Sequence, residues 1–253
     1  MTRILIYIEY DGTGYAGWQN QKNASSIQQA LEECLKKLTR EDIAVTGAGR
    51  TDAGAHAQGQ AAHFDTASRI PAEKFAYAMN SHLPRSIRVI ESREVGMDFH
   101  ARFSARGKWY RYTIYNRPHA LALNRLTCLH VREPLDITAM EEAVPRLTGT
   151  HDFAAFAASG GDQKTTVRTI YSAKVTKEGA YIHIDITGNA FLFNMVRIIA
   201  GTLIEIGRHR LERNALEEML EGRSRLSGGP TAPAKGLTLM KVYYDWDGEL
   251  TKD

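Results

Sequence analysis

The chain has 253 residues, enough for one large domain or two small ones with a sizeable core. Hydrophobic residues make up 43% and charged residues 24%, and the formal net charge is +3, which excludes disordered, fibrous and disulfide-dense classes. The two cysteines, Cys34 and Cys128, lie in apolar-patterned segments without a CxxC, as small core residues of a reducing compartment do. The sequence begins directly on a strand pattern, so no leader is expected, and no apolar run reaches the roughly 18 residues of a membrane span. A cytoplasmic protein without membrane attachment is expected.

Ile4, Ile6, Ile8 and Tyr10 alternate with Leu5, Tyr7 and Glu9, which predicts a strand with at least one buried face. Asp11-Gly12-Thr13-Gly14 turns the chain. A helix follows, capped by Ser25 or Ser26, with Ile27, Ala30, Leu31, Cys34, Leu35 and Leu38 at helical spacing. Short strands are predicted at 43–45 and 60–64. Pro71 fits the first turn of a second helix carrying Phe75, Met79 and Leu83. A strand at 87–95 completes the order strand, helix, strand, strand, helix, strand, which matches a ferredoxin-like unit. Beyond it come strands at 108–116 and 127–131 and a helix from Asp136 through Leu147, with Pro145 near its end. A loop at Gly160-Gly161-Asp162 precedes a hairpin of 168–175 with 181–186. Then come an apolar helix at 193–206, a helix at 211–220 with Gly222 as C-cap, and a final strand at 237–244. The expected architecture is α+β: two halves, 1–104 and 105–253, with antiparallel sheets forming a central cleft. No internal sequence repeat supports the two halves; they rest on element order.

The stretch with most chemical character is 47–57, Gly-Ala-Gly-Arg-Thr-Asp-Ala-Gly-Ala-His-Ala. Its glycines predict a tight loop that displays Asp52, with Arg50 two residues before it; a plain turn bonding its own backbone would use the same residues. Arg197 stands between Val196 and Ile198 in the apolar helix. A guanidinium there requires a partner, and Asp52 is one candidate; a packed stem with its head in water is the other reading. Tyr110, Tyr112 and Tyr115 interleave with Arg106, Lys108, Arg111 and Arg117. Between Phe99 and Glu133 there are seven basic residues and no acid. Aromatic faces among cations suit nucleobase stacking and phosphate contact, while core packing is the ordinary role of strand tyrosines. The Walker and dinucleotide loop patterns are incomplete. Asp52, His56 and His63 offer only a weak metal set, and no catalytic serine or cysteine pattern is present.

The ordered set of motifs closely resembles the TruA family of tRNA pseudouridine synthases. It comprises Glu9-Tyr10-Asp11-Gly12 with Gly17-Trp18-Gln19, then Ala48-Gly49-Arg50-Thr51-Asp52-Ala53-Gly54 with His56, Gly59 and Gln60. Next are 99–105 (FHARFSA) and Tyr110-Arg111-Tyr112. Asn189-Ala190-Phe191, Met195-Val196-Arg197 and Thr231-Ala232-Pro233-Ala234 with Gly236-Leu237 complete it. Ala55 departs from a common valine, and Phe193-Asn194 stand where histidines are frequent. The resemblance implies the pseudouridine synthase fold, with two RNP-like halves. It implies isomerisation of uridine to pseudouridine at positions 38, 39 and 40 of the tRNA anticodon stem-loop, without cofactor or metal, by a homodimer. It assigns Asp52 as the essential carboxylate, Arg197 as its ion-pair partner and Tyr110 as the tyrosine over the base. Leu237 is placed against the uracil and Arg50 beside the flipped nucleotide.

Overall fold

The computed structural model describes residues 1–158, 160, 164–222 and 224–248. Gly161 and Asp162 of the expected loop lie outside the described residues. The chain is mixed α/β, with mostly antiparallel strands and five α-helices among the described residues. It divides into two compact units. The first holds residues 1–106 and 239–248; the described part of the second is 107–238.

The first unit begins with β1 (Thr2–Tyr10), where Ile4, Ile6, Ile8 and Tyr10 are all buried, as alternation predicts. Helix α1 (Ile27–Thr39) is capped by Ser26, whose side chain accepts from the Gln29 amide at 3.1 Å. Next come the two-residue β2 (Thr46–Gly47), the long β3 (His56–Thr66), α2 (Phe75–Asn80) and β4 (Ile87–Val95). Both β3 and β4 pair antiparallel with β1, and β2 pairs with β3. Ile4 lies opposite Phe64, whose ring meets Phe75 of α2 edge-on at 5.3 Å. The Cys34 thiol of α1 reaches the Met79 carbonyl of α2 at 3.5 Å. This helical layer therefore covers the isoleucine face of β1. Residues from 239 onward of β10 (Leu237–Tyr243) also belong to this unit, and β10 runs beside β3.

The strand predicted at 43–45 falls instead at β2, because the pairing edge of β3 reaches only Thr46 and Gly47. The helix expected at Pro71 opens as a 3-10 turn, Ala72–Lys74, before α2.

In the second unit β5 (Gly107–Asn116) pairs antiparallel with β9 (Tyr181–Gly188), β9 with β8 (Val167–Glu178), and β8 with β7 (Gly149–Asp152). The short β6 (Leu129–Val131) pairs parallel with β5. Helix α3 (Ile137–Ala143) starts on its Asp136 cap but stops four residues before Leu147. Pro145 lacks the amide the helix needs, and Val144–Leu147 continue as a 3-10 turn. Helix α4 (Met195–Gly207) starts two residues late, since Asn194 adopts a left-handed φ of 61°. Helix α5 (Ala215–Gly222) follows. β7 has no counterpart in the sequence reading; its four residues, Gly-Thr-His-Asp, include no apolar side chain and carry no alternation. No helix among the described residues is long and apolar enough to cross a membrane.

Candidate functional site

In the first unit, the 48–55 loop is held from beneath by the segment after β1. Trp18 donates its amide to the Thr51 carbonyl at 3.1 Å, and Gly54 donates to the Tyr15 carbonyl at 3.3 Å. The Tyr10 hydroxyl and Thr51 Oγ1 lie 2.7 Å apart in a buried hydrogen bond, and burial pushes the Tyr10 hydroxyl well above its ordinary range. Gln60 Nε2 donates to the Gly49 carbonyl at 2.8 Å. Trp18 is 3% exposed, its ring against Gly47. Asp52 itself closes a turn through its carbonyl, which accepts from Ala55 at 3.0 Å, so its side chain takes no part in that bond. It is half-buried, while Arg50 is exposed. The loop thus shows a carboxylate on a backbone fixed from several directions. Residues 10–18 make that support, a role the sequence could show only as a motif without chemistry.

His56 and His63 are accounted for within this unit. His56 Nδ1 lies 3.2 Å from the Gly12 amide and 3.2 Å from Asp11 Oδ1, which ties the end of the loop to the turn after β1. His63 Nδ1 accepts from the Ala101 amide at 3.1 Å. No group of three or more His, Cys, Asp or Glu side chains suited to a metal occurs among the described residues.

Burial, helped by Arg3 and His100, pushes the His63 imidazole down to about 4, with Asp65 pulling the other way. The folded state therefore binds fewer protons than the unfolded chain between about pH 4 and 6.5, so this histidine makes stability fall as pH drops through that window. The expected loss from this one group between pH 7 and pH 5 is up to about 2 kcal/mol. Urea unfolding of wild type and His63→Gln at both pH values checks it. The glutamine variant should lose less on acidification; equal losses would refute the assignment. Asp65, held low by its hydrogen bond to Arg3, titrates further down and is common to both proteins.

In the second unit, Arg197 leaves the first turn of α4 half-buried. Its Nε donates to the Ala232 carbonyl at 2.8 Å and its Nη1 to Asn194 Oδ1 at 2.7 Å. The Ala232 amide returns a bond to the Arg197 carbonyl at 3.0 Å, and Gly229 donates to Thr202 Oγ1 at 3.0 Å. Thus 229–232 is stitched along α4, and the guanidinium is aimed by two acceptors rather than left to water. The next residue, Pro233, accepts from the Tyr112 hydroxyl at 2.8 Å. Tyr112 is fully buried and Leu237 is 6% exposed. Residues 232–237 therefore join Arg197, the core tyrosine of β5 and Leu237. Tyr110 lies on the same side of β5, 7% exposed, its ring edge-on to Phe191 at 5.0 Å.

The tyrosines separate by role. Tyr112 is core; Tyr115 packs on Tyr181 and His130. The basic stretch is partly neutralised: Asp185 takes a paired hydrogen bond from Arg111 at 2.9 and 3.0 Å, and Asp245 takes one from Arg106. Arg117, Arg125 and Arg132 are exposed. Asp52 and Arg50 belong to the first unit, and Tyr110, Arg197 and Leu237 to the second. Sequence reasoning missed the supporting residues Asn194, Ala232 and Pro233. Their motifs stood out, but two of the three act through main-chain oxygens that no side-chain pattern reveals.

Comparison with known proteins matches residues 6–104 and 143–245 to the family described as tRNA pseudouridine synthase. The chain is 51% identical over 245 residues to a tRNA pseudouridine synthase A of Ruminiclostridium cellulolyticum, covering 96% of this chain and 100% of that protein. It is 48% identical to the tRNA pseudouridine synthase A of Acetivibrio thermocellus, with 96% and 100% covered. A protein of Clostridium tetani named tRNA pseudouridine synthase A 2 is 46% identical, with 96% and 98% covered.

Proposed function

Because this chain belongs to the TruA family of tRNA pseudouridine synthases, we propose that it modifies uridines 38, 39 and 40 of the anticodon stem-loop, with Asp52 as the essential carboxylate. The enzyme is an isomerase that converts uridine to pseudouridine in tRNA. The observation that carries the finer reading is the 48–55 loop: a half-buried carboxylate on a loop whose backbone is bonded to Trp18, Tyr15 and Gln60 and whose Thr51 hydroxyl is bonded to Tyr10.

The reading takes residues 1–104 and 105–253 as two ferredoxin-like halves, each built on an antiparallel sheet. The target nucleotide leaves its stack, which costs a few kcal/mol, and Arg50 takes up the vacated space. Asp52 then acts on the ribose, either by attack at C1′ or by removing the C2′ proton. The C1′–N1 bond breaks, the uracil turns, and C5 bonds to C1′ as the Asp52 carboxylate leaves C1′ or, on the other route, returns the proton to C2′. The C5 proton then leaves to a base while N1 ends protonated, so the product is an isomer of the substrate. Arg197 faces the carboxylate as its ion-pair partner, Tyr110 receives the C5 proton, and Leu237 lies against the uracil, keeping water from the detached base. The enzyme works as a cytoplasmic homodimer, and no cofactor enters the chemistry.

Mapping pseudouridine in unmodified bulk tRNA incubated with and without the enzyme tests the position assignment. New pseudouridine is expected at 38, 39 and 40; product elsewhere with none at these positions overturns it. Tyr110→Phe should bind tRNA with little change but lose roughly 10²-fold or more in tritium release from C5-labelled uridine. Normal release would remove Tyr110 from the proton transfer.

A further inference from the structure

Residues 100–104 of the first unit form a closed turn that presents one ring to solvent. Ser104 donates its amide to the His100 carbonyl at 2.8 Å, and the His100 amide donates to Ser104 Oγ at 3.0 Å. The amides of Arg102 and Phe103 both point at His100 Nδ1, at 3.2 and 3.3 Å. With its backbone so fixed, Phe103 is 76% exposed, whereas Phe99, four residues earlier, is 7% exposed. One side of the Phe103 ring rests on the His100 ring, with centroids 4.4 Å apart and planes at 33°. His100 is backed in turn by the buried His63, at 4.9 Å. The Arg102 guanidinium lies 5.8 Å from the Phe103 centroid and forms no ion pair among the described residues.

An ordered aromatic ring left in water forgoes burial that its neighbour Phe99 obtains. The flat occupant that would cover it, beside an arginine with no acid partner among the described residues, is a nucleobase whose phosphate meets the cation. The sequence around it favours a polyanion: residues 99–132 carry seven basic side chains and no acid, and although Arg106 and Arg111 are paired to Asp245 and Asp185, Arg102, Arg117, Arg125 and Arg132 stay exposed. We propose that Phe103, stiffened by His100 and flanked by Arg102, is a stacking platform for an unpaired base of the RNA, apart from the residues that handle the reacting uridine. This proposal rests on the tRNA reading above. Phe103 acts by positioning, so its effect falls on binding rather than on the chemical step.

The test uses full-length enzyme with Phe103→Ala, Phe103→Leu and Phe103→Trp, read by KM and kcat on unmodified tRNA. A parallel readout is quenching of 2-aminopurine in a single-stranded RNA oligonucleotide, which needs no turnover. The alanine and leucine variants should raise KM by on the order of tenfold at retained kcat and weaken quenching, and tryptophan should restore both. Leucine performing as well as phenylalanine would overturn stacking. An unchanged KM in the alanine variant would overturn the site altogether. A shift in oligomeric state on sedimentation, with RNA affinity intact, would assign the ring to a second copy of the chain and also overturn it. If wild-type enzyme formed no pseudouridine in tRNA, the functional reading would fail, while the quenching series would still decide the platform.

Discussion

Asp52→Asn lowers tritium release from C5-labelled uridine in tRNA by roughly 10³-fold or more, whichever ribose atom the carboxylate addresses. An amide of nearly the same shape can neither attack C1′ as an anion nor accept the C2′ proton. The loop should survive the change. Its turn is closed by the Asp52 carbonyl and Ala55 amide, and its outer bonds run through the Thr51 carbonyl, the Gly54 amide and the Gly49 carbonyl. The variant should therefore melt near the wild-type temperature and retain tRNA in a filter-binding assay. Release within tenfold of wild type would remove Asp52 from the chemistry. Loss of binding together with activity would instead make it a recognition residue.

Gly12→Ala lowers kcat by about 10²-fold although residue 12 lies far along the chain from the carboxylate. A Cβ at Gly12 would sit 1.9 Å from the Ala55 carbonyl oxygen, a backbone atom that no side-chain rotation can move aside. The turn after β1 and the end of the 48–55 loop must then part by on the order of 1 Å, a displacement that catalysis tolerates poorly. The His56 contacts to Gly12 and Asp11 are strained by the same shift. Gly17→Ala adds a second cost. That residue has φ 95°, which disfavours any Cβ by about 1–2 kcal/mol, and the new carbon would meet the Thr51 carbonyl at 2.5 Å. Gly14→Ala is the control, because nothing lies within 4 Å of its Cβ position and the residue is exposed. Steady-state kinetics and thermal melts of the three variants decide the matter. Wild-type turnover by Gly12→Ala would show that the loop is not positioned from this turn.

These two results divide what was legible from what was not. The first helix was readable to its cap, because Ser26 and an apolar stripe are local signals. The hairpin of β8 and β9 was readable from alternation around Gly179. α3 was expected to run through Pro145 and does not, since the missing amide outweighs the periodicity. α4 was expected two residues early, where the left-handed Asn194 holds the chain out of the helix. β7 was missed because an edge strand paired on one side needs no apolar face. Of the loop glycines, Gly54 alone among 47, 49 and 54 has positive φ.

The sequence by itself determined the chemistry on offer: one carboxylate in a glycine loop, one arginine in an apolar helix, tyrosines among cations, and a motif order that marks the family. Those are properties of side-chain type and spacing, which a linear pattern carries. The tertiary structure decided how each group is held. Residues 10–18 support the Asp52 loop through the Tyr15 and Thr51 carbonyls, and residues 229–233 aim Arg197 and anchor Tyr112 through the Ala232 and Pro233 carbonyls. Every residue has a main-chain carbonyl, so composition cannot reveal which ones matter. Only the folded path of the chain brings a particular oxygen within hydrogen-bonding distance of a particular donor.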